Sequence, residues 1–215
     1  MPRSAKKPPK HQDKTKDRIV SAAIKLFAKH GYDGTSTKAI CQAARANIAA
    51  LHYYFETKEK LYLSIIQEFG KESLDSALRT LSEPYDPGEI KVRLEMFLHE
   101  TLERCFKNLD LVTLVLNEGE SSHPRSHDVF NSTFDRMCEE LISFFATASK
   151  RKWLARGIDP ELAADAVFAQ LSQAIRTEPV KERFRRPSLK EMNYRKKWVH
   201  AVVHILLEGV LPRSL

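Results

Sequence analysis

Residues 35–58 read Thr35-Ser-Thr-Lys-Ala-Ile-Cys-Gln-Ala-Ala-Arg-Ala-Asn-Ile-Ala-Ala-Leu-His-Tyr-Tyr-Phe-Glu-Thr-Lys58, and this stretch decides the fold. Ile40, Ala43 and Ala44 form one short apolar stripe at helical spacing, and Ile48, Leu51 and Phe55 form a second. Thr37 is placed to cap the first helix and Asn47 the second, because a side-chain oxygen at that point accepts a bond from an otherwise unpaired helical N–H. Ala43, Ala44, Ala46, Ala49 and Ala50 keep the crossing small. Two helices can then approach closely, and the second is slim enough for a DNA major groove about 12 Å wide. It ends in His52-Tyr53-Tyr54-Phe55, beside Thr57 and Lys58, a mixture suited to phosphate and sugar contact.

Working outward, Ile19, Ala22, Ala23, Leu26 and Phe27 predict a preceding helix closed by His30-Gly31, where glycine can take the left-handed conformation. A longer helix follows from Lys58, with Leu61, Tyr62, Ile65, Ile66, Phe69, Leu74 and Leu78 facing inward. Pro84-Tyr-Asp-Pro87-Gly88 is the clearest break in the chain. Beyond it the pattern predicts helices over 88–107, 109–119, 126–153, 160–177 and 189–210, separated at Asn108, 118–125, 157–160 and Pro179 through Pro187. Asp159-Pro160-Glu161 is a strong start signal, with a cap, a proline at the first helical position and an acid in the first turn. The expectation is an all-α fold of about nine helices. It has a disordered basic arm over 1–12, a helix-turn-helix domain over 13–60 joined by a helix over 58–82, and a helical bundle over 83–215.

Charge and composition narrow the function. The formal charge is +7 over 215 residues. The first 18 residues carry seven Lys/Arg against two Asp, a net +5; residues 181–197 carry eight against two Glu, a net +6; the remainder is −4. A basic arm on a mildly acidic body points to a polyanion partner. No apolar run, Ile205-Leu206-Leu207 among them, comes near the roughly 20 residues of a membrane span. No apolar stretch backs the basic N-terminus as a secretory signal would require. Cys41, Cys105 and Cys138 are odd in number and match no metal pattern, so they read as reduced thiols of a cytoplasmic protein. No metal set, cofactor motif or catalytic residue stands out: there is no phosphate loop or nucleophile elbow. His200 and His204 form an i,i+4 pair that lacks a third ligand.

The longer frame is more specific. It runs Phe27-Ala28-Lys29-His30-Gly31-Tyr32, Gly34-Thr35-Ser36-Thr37, Ile40, Ala43-Ala44, Leu51 to Phe55 and Thr57-Lys58-Glu59-Lys60-Leu61. Over about residues 15–65 this resembles the DNA-binding domain of the TetR family of bacterial regulators, and Asn47-Ile48-Ala49-Ala50 resembles its CecR-like branch. The resemblance implies that Thr37 and Asn47 contact phosphate at the starts of their helices. It implies that Ile48, Ala49, Ala50 and His52 face base edges, Tyr53 a phosphate and Lys58 a flanking phosphate. Lys38 and Arg45 join this set as basic neighbours. Three positions depart from the family pattern: Arg45 replaces the turn glycine, Ala49 a later glycine, and His52 the usual tyrosine. A side chain at the turn position costs about 1 kcal/mol in a positive-φ conformation.

For the rest of the chain the resemblance implies dimerisation through the last two long helices. Leu162, Ala166, Ala169 and Ile175 lie on one, and Trp198, Val199, Val202, Ile205, Leu206 and Val210 on the other. It also implies a small-molecule pocket in the body, for which Phe97, Phe106, Leu114, Phe130, Phe134, Phe144, Phe145 and Phe168 are candidate lining residues. The expected function is a sequence-specific regulator, a ligand-responsive repressor that binds a palindromic operator as a homodimer. The expected partners are double-stranded operator DNA, a second copy of the chain and an unidentified small-molecule effector, with no membrane. The alternatives are a structural DNA-binding protein of the same fold and, behind it, an enzyme.

Overall fold

The computed structural model describes residues 10–119, 125–154 and 157–210. Every regular element among them is helical: α1 Lys10–His30, α2 Thr37–Ala43, α3 Ile48–Phe55, α4 Lys58–Thr80, α5 Pro87–Lys107, α6 Leu109–Gly119, α7 His127–Phe130, a π-helical turn Asn131–Asp135, α8 Arg136–Lys150, α9 Pro160–Arg183 and α10 Met192–Val210. With α7, the π turn and α8 counted as one continuous rod, the described residues hold nine helices. Residues 1–9 of the expected arm, residues 120–124 and the end of the chain lie outside the described residues. Helix α1 already includes residues 10–12, which the arm had been expected to contain.

Two compact units divide the chain. One contains α1 to α3, α4 up to Glu68, and Asp110–Ser126. The other contains Phe69–Leu109 and the residues from His127 onward. Nearly all of α6 and the segment after it group with the N-terminal unit, so the compact units do not follow the linear division at residue 83. A break in sequence such as Pro84–Gly88 marks where a helix ends and carries no information on what the next helices pack against.

In the first unit Ile19, Ala23, Phe27, Ile40, Leu51, Leu61 and Ile66 are at most 1% exposed and form the core. Phe27, Tyr32 and Tyr62 meet as an aromatic cluster with ring centroids 5.0 to 5.8 Å apart.

In the second unit α5 buries Ile90, Leu94, Phe97, Leu98 and Leu102. Helix α8 packs on α9, and α9 and α10 both pack on α5. The expected rod over 126–153 forms but widens into a π turn at Asn131–Asp135. There the Thr133 hydroxyl donates to the Val129 carbonyl (2.5 Å). Gly70 of α4 lies so close that a Cβ on it would sit 2.5 Å from Thr133 Oγ1.

Helix α9 was expected to stop at residue 177, yet it runs through Pro179 to Arg183. Proline removes one helical donor and disfavours helix in the residue before it. Tertiary bonds outweigh that here. Glu178 is fully buried, and its carboxylate accepts from the Ser188 hydroxyl and from the Leu189 N–H (3.0 Å). It lies 3.5 Å from the Lys181 ammonium.

Candidate nucleic-acid interface

Three local devices hold the helix pair. The first is the loop between α1 and α2. Gly31 takes φ 71°, and its N–H donates to the Phe27 carbonyl. The buried Thr35 hydroxyl lies 2.8 Å from the Gly31 carbonyl and 3.1 Å from that of Leu26, satisfying acceptors at the end of α1. Lys58 completes the loop: its ammonium donates to the Tyr32 and Thr35 carbonyls, both at 2.9 Å, and lies 4.0 Å from the Tyr32 ring centroid. Two of the three Lys58 ammonium donors are therefore held by the protein's own carbonyls.

The second device is the pair of helix starts. The α2 cap is Ser36, not Thr37: Ser36 is extended, with φ −94° and ψ 152°, and its hydroxyl accepts from the Ala39 N–H (3.1 Å). Thr37 is already inside the helix, so its backbone is not free to take the cap conformation. Asn47 caps α3 as expected, Oδ1 accepting from the Ala50 N–H (2.7 Å).

The third device is the turn itself. Arg45 takes φ 50°, its N–H donates to Gln42 (3.2 Å), and the Ala46 N–H donates to Cys41 (2.9 Å). These two bonds are the Schellman ending of a helix, with arginine at the position that usually holds glycine.

The result is a sharply two-sided α3. Leu51 and Phe55 are buried, whereas Ile48, Ala49, His52 and Tyr53 are exposed, Tyr53 at 71%. Positions 48, 49, 52 and 53 fall on one helical face. Lys38, Arg45 and Asn47 are exposed beside it, and Thr37 and Ala50 are half-buried. His52 Nδ1 lies 2.6 Å from the Glu56 carbonyl, an acceptor, so Nδ1 carries the proton. In the neutral ring the outward Nε2 is then an acceptor.

Several residues of this unit carried no sequence signal. Arg125 Nη2 donates to both Asp33 carboxylate oxygens (2.9 and 3.1 Å), and its guanidinium stacks 4.4 Å from the Tyr32 ring centroid. Glu118 accepts from the Tyr62 hydroxyl (2.5 Å) and from the N–H and hydroxyl of Ser126 (both 2.9 Å). Burial and that bond push the Tyr62 hydroxyl far above its ordinary value. A pocket of about 530 Å³ lies among these groups, bounded by Phe27, Tyr32, Asp33, Tyr62, Leu114 and Arg125.

The other candidates fall in the second unit, with one exception. Leu114 belongs to the first unit and is thereby separated from the aromatic set with which sequence had grouped it. Rings pair as Phe97 with Phe168 (6.4 Å), Phe144 with Phe145 (5.6 Å), and Phe134 with Phe130 (4.6 Å) and Phe69 (6.3 Å). Phe97, Phe144 and Phe145 are buried, and Phe106, Phe130, Phe134 and Phe168 are half-buried. Of the expected dimer residues, Leu162 and Ile205 are 68% and 70% exposed. Ala169 is exposed, Ala166, Trp198 and Leu206 are half-buried, and Val202 is buried within the unit. The His200 and His204 rings stack at 6.3 Å, and His200 Nδ1 lies 3.2 Å from Glu95. Among the described residues no group of three or more His, Cys, Asp and Glu is arranged to hold a metal. No helix among them is long and apolar enough to cross a membrane.

Residues 19–65 match the family model of bacterial regulatory proteins, tetR family. The HTH-type transcriptional repressor NicS of Pseudomonas putida is 28% identical over 107 residues, 50% of this chain and 49% of NicS. This alignment spans about half the length of the curated relative. The HTH-type transcriptional regulator RutR of Escherichia coli is 24% identical over 198 residues, 92% of this chain and 91% of RutR. Among solved structures, the TetR family transcriptional regulator PfmR from Thermus thermophilus has a TM-score of 0.70 at 25% identity, covering 90% of this chain and 98% of that one.

Proposed function

We propose, from the match of residues 19–65 to the TetR-family model, that the chain is a transcription regulator of that family, a ligand-responsive repressor that binds a palindromic operator as a homodimer. The observation that carries the proposal is the two-sided α3: a helix capped by Asn47 that buries Leu51 and Phe55 and presents Ile48, Ala49, His52 and Tyr53 outward. Residues exposed on one face of a recognition helix are what base edges and phosphates meet in the major groove. Thr37, Lys38, Arg45, Asn47 and Tyr53 would hold the backbone, and Ile48, Ala49, Ala50 and His52 would face the bases. Lys58 would position the loop before α2 with two of its donors and meet a flanking phosphate with the third. With three apolar side chains in reading positions, few bidentate base contacts are available, so DNA shape carries part of the specificity.

Two half-sites need two recognition helices, and the C-terminal helices supply a surface for pairing. Leu162, Val180, Met192 and Ile205 are 52% to 70% exposed on α9 and α10. Apolar surface of this kind is stabilised by burial against a second copy. Effector binding in the second unit would favour a spacing of recognition helices that no longer fits successive grooves. The protein would act in the cytoplasm, without catalysis.

Selection of bound duplexes from a random pool by the purified protein tests the proposal. The expected result is one enriched palindrome, bound far more tightly than random DNA at physiological salt. Equal affinity for any duplex would replace it with the structural DNA-binding reading.

A further inference from the structure

Helix α5 carries a polar group that the packing does not explain. Arg104 Nε and Nη2 are buried with no hydrogen-bond partner, and so is the Thr101 hydroxyl one turn earlier. Burial pulls the Arg104 guanidinium below its ordinary value. The acids that act on it, Glu72 and Glu100, do so only through space. Glu100 is already taken, accepting from the Ser76 hydroxyl (2.7 Å) and from Arg79 (2.6 Å). The negative end of the α5 dipole softens the cost, since Arg104 lies in the last turn. It leaves the donors unpaired, and a buried charge without an acceptor is among the costliest arrangements a fold can keep.

We propose that Arg104, with the Thr101 hydroxyl, anchors the acid group of an organic carboxylate whose apolar part runs along α5 toward Phe97. The chemistry follows from the donor set. A guanidinium presents two parallel N–H groups that match a carboxylate, and the hydroxyl adds a third donor. Positions 97, 101 and 104 share one face of the helix, and the seven-residue rise from Phe97 to Arg104 spans about 10 Å. Phe97 is buried and meets the Phe168 ring edge-on, giving that end an apolar wall. The ligand is therefore acidic at one end and apolar over about 10 Å. The inference rests on reading the second unit as the effector domain of a DNA-binding regulator.

The test uses the full chain, with octanoate and 1-octanol as probes, followed by thermal unfolding and calorimetry. Octanoate is expected to raise the melting temperature and octanol to do so much less. Arg104→Met should weaken octanoate binding by more than about tenfold, because it removes the charge-assisted bonds. It should also raise the melting temperature of the free protein, an outcome that a purely structural arginine would reverse. If that variant does not fold, Thr101→Val and Arg104→Lys carry the test, each with weakened octanoate affinity. Equal responses to octanoate and octanol, no response to octanoate, or an octanoate response unchanged in these variants would each overturn the carboxylate site. Duplex selection separates the two levels: failure to enrich a palindrome sinks the regulator, whereas palindrome binding without octanoate binding sinks only this inference.

Discussion

Arg45 shows how one residue can serve two demands. Its φ of 50° is where glycine sits at low cost, and the side chain that makes the turn expensive is also exposed beside α3. Arg45→Gly is expected to stabilise the protein by about 1 kcal/mol in denaturant unfolding. The same change should flatten the slope of log affinity against log salt by about 0.9, the value of one phosphate contact. An unchanged slope would place Arg45 off the DNA. His99 gives a pH signature at the same scale. Burial lowers its imidazole below the ordinary 6.5, with Arg195 and Lys196 adding and Glu95 and Glu103 opposing. The unfolded chain then binds the proton more readily, so stability is complete above about pH 6.5 and falls as pH drops toward the folded value. His99→Gln should flatten melting temperature against pH in that window; a slope that persists would assign it elsewhere.

At the scale of elements, α2, α8 and α9 end alike. Each closes with the paired bonds of a Schellman ending, and the left-handed position is a cation in every case: Arg45, Lys152 and Arg185. Positive charge next to the exposed carbonyls of a helix end offsets part of the conformational cost that glycine would avoid. The π turn behaves differently, because there space decides. An alanine in place of glycine inside a helix normally stabilises by up to about 1 kcal/mol. Gly70→Ala should instead cost about 2 kcal/mol, since the new Cβ meets Thr133 Oγ1 at 2.5 Å. Stabilisation in thermal unfolding would mean that the π turn yields. The extension of α9 through Pro179 rests on Glu178, so Glu178→Ala should cost about 3 kcal/mol by leaving the Leu189 N–H and Ser188 hydroxyl without their acceptor.

Over the whole molecule, the proposed pairing through α9 and α10 is testable apart from DNA. Leu162→Asp and Ile205→Asp change exposed side chains, so the monomer fold should survive while light scattering reports half the mass. Operator affinity should fall steeply with it, since one recognition helix then reads one half-site. A variant that stays dimeric would move the interface elsewhere. The Asp33–Arg125 and Tyr62–Glu118 contacts join residues 92 and 56 positions apart in one unit. They attach the end of α6 to the helix-turn-helix.

The sequence alone determined the helical class, the helix-turn-helix, the Asn47 cap and the inward face of α3. These are written in neighbouring residues: periodicity, capping and turn chemistry act over one or two helical turns. Tertiary structure alone decided that Ser36 rather than Thr37 begins α2, that Lys58 faces protein carbonyls, that α9 passes Pro179, and that Leu114 belongs with the N-terminal unit. It also left the Arg104 guanidinium buried without an acceptor. Each of these depends on which distant groups share a low-dielectric neighbourhood. Partners ten and eleven residues along the chain, Ser188 and Leu189, can outweigh the local preference of Pro179, because leaving the Glu178 acid buried and unpaired would cost more than one lost helical bond.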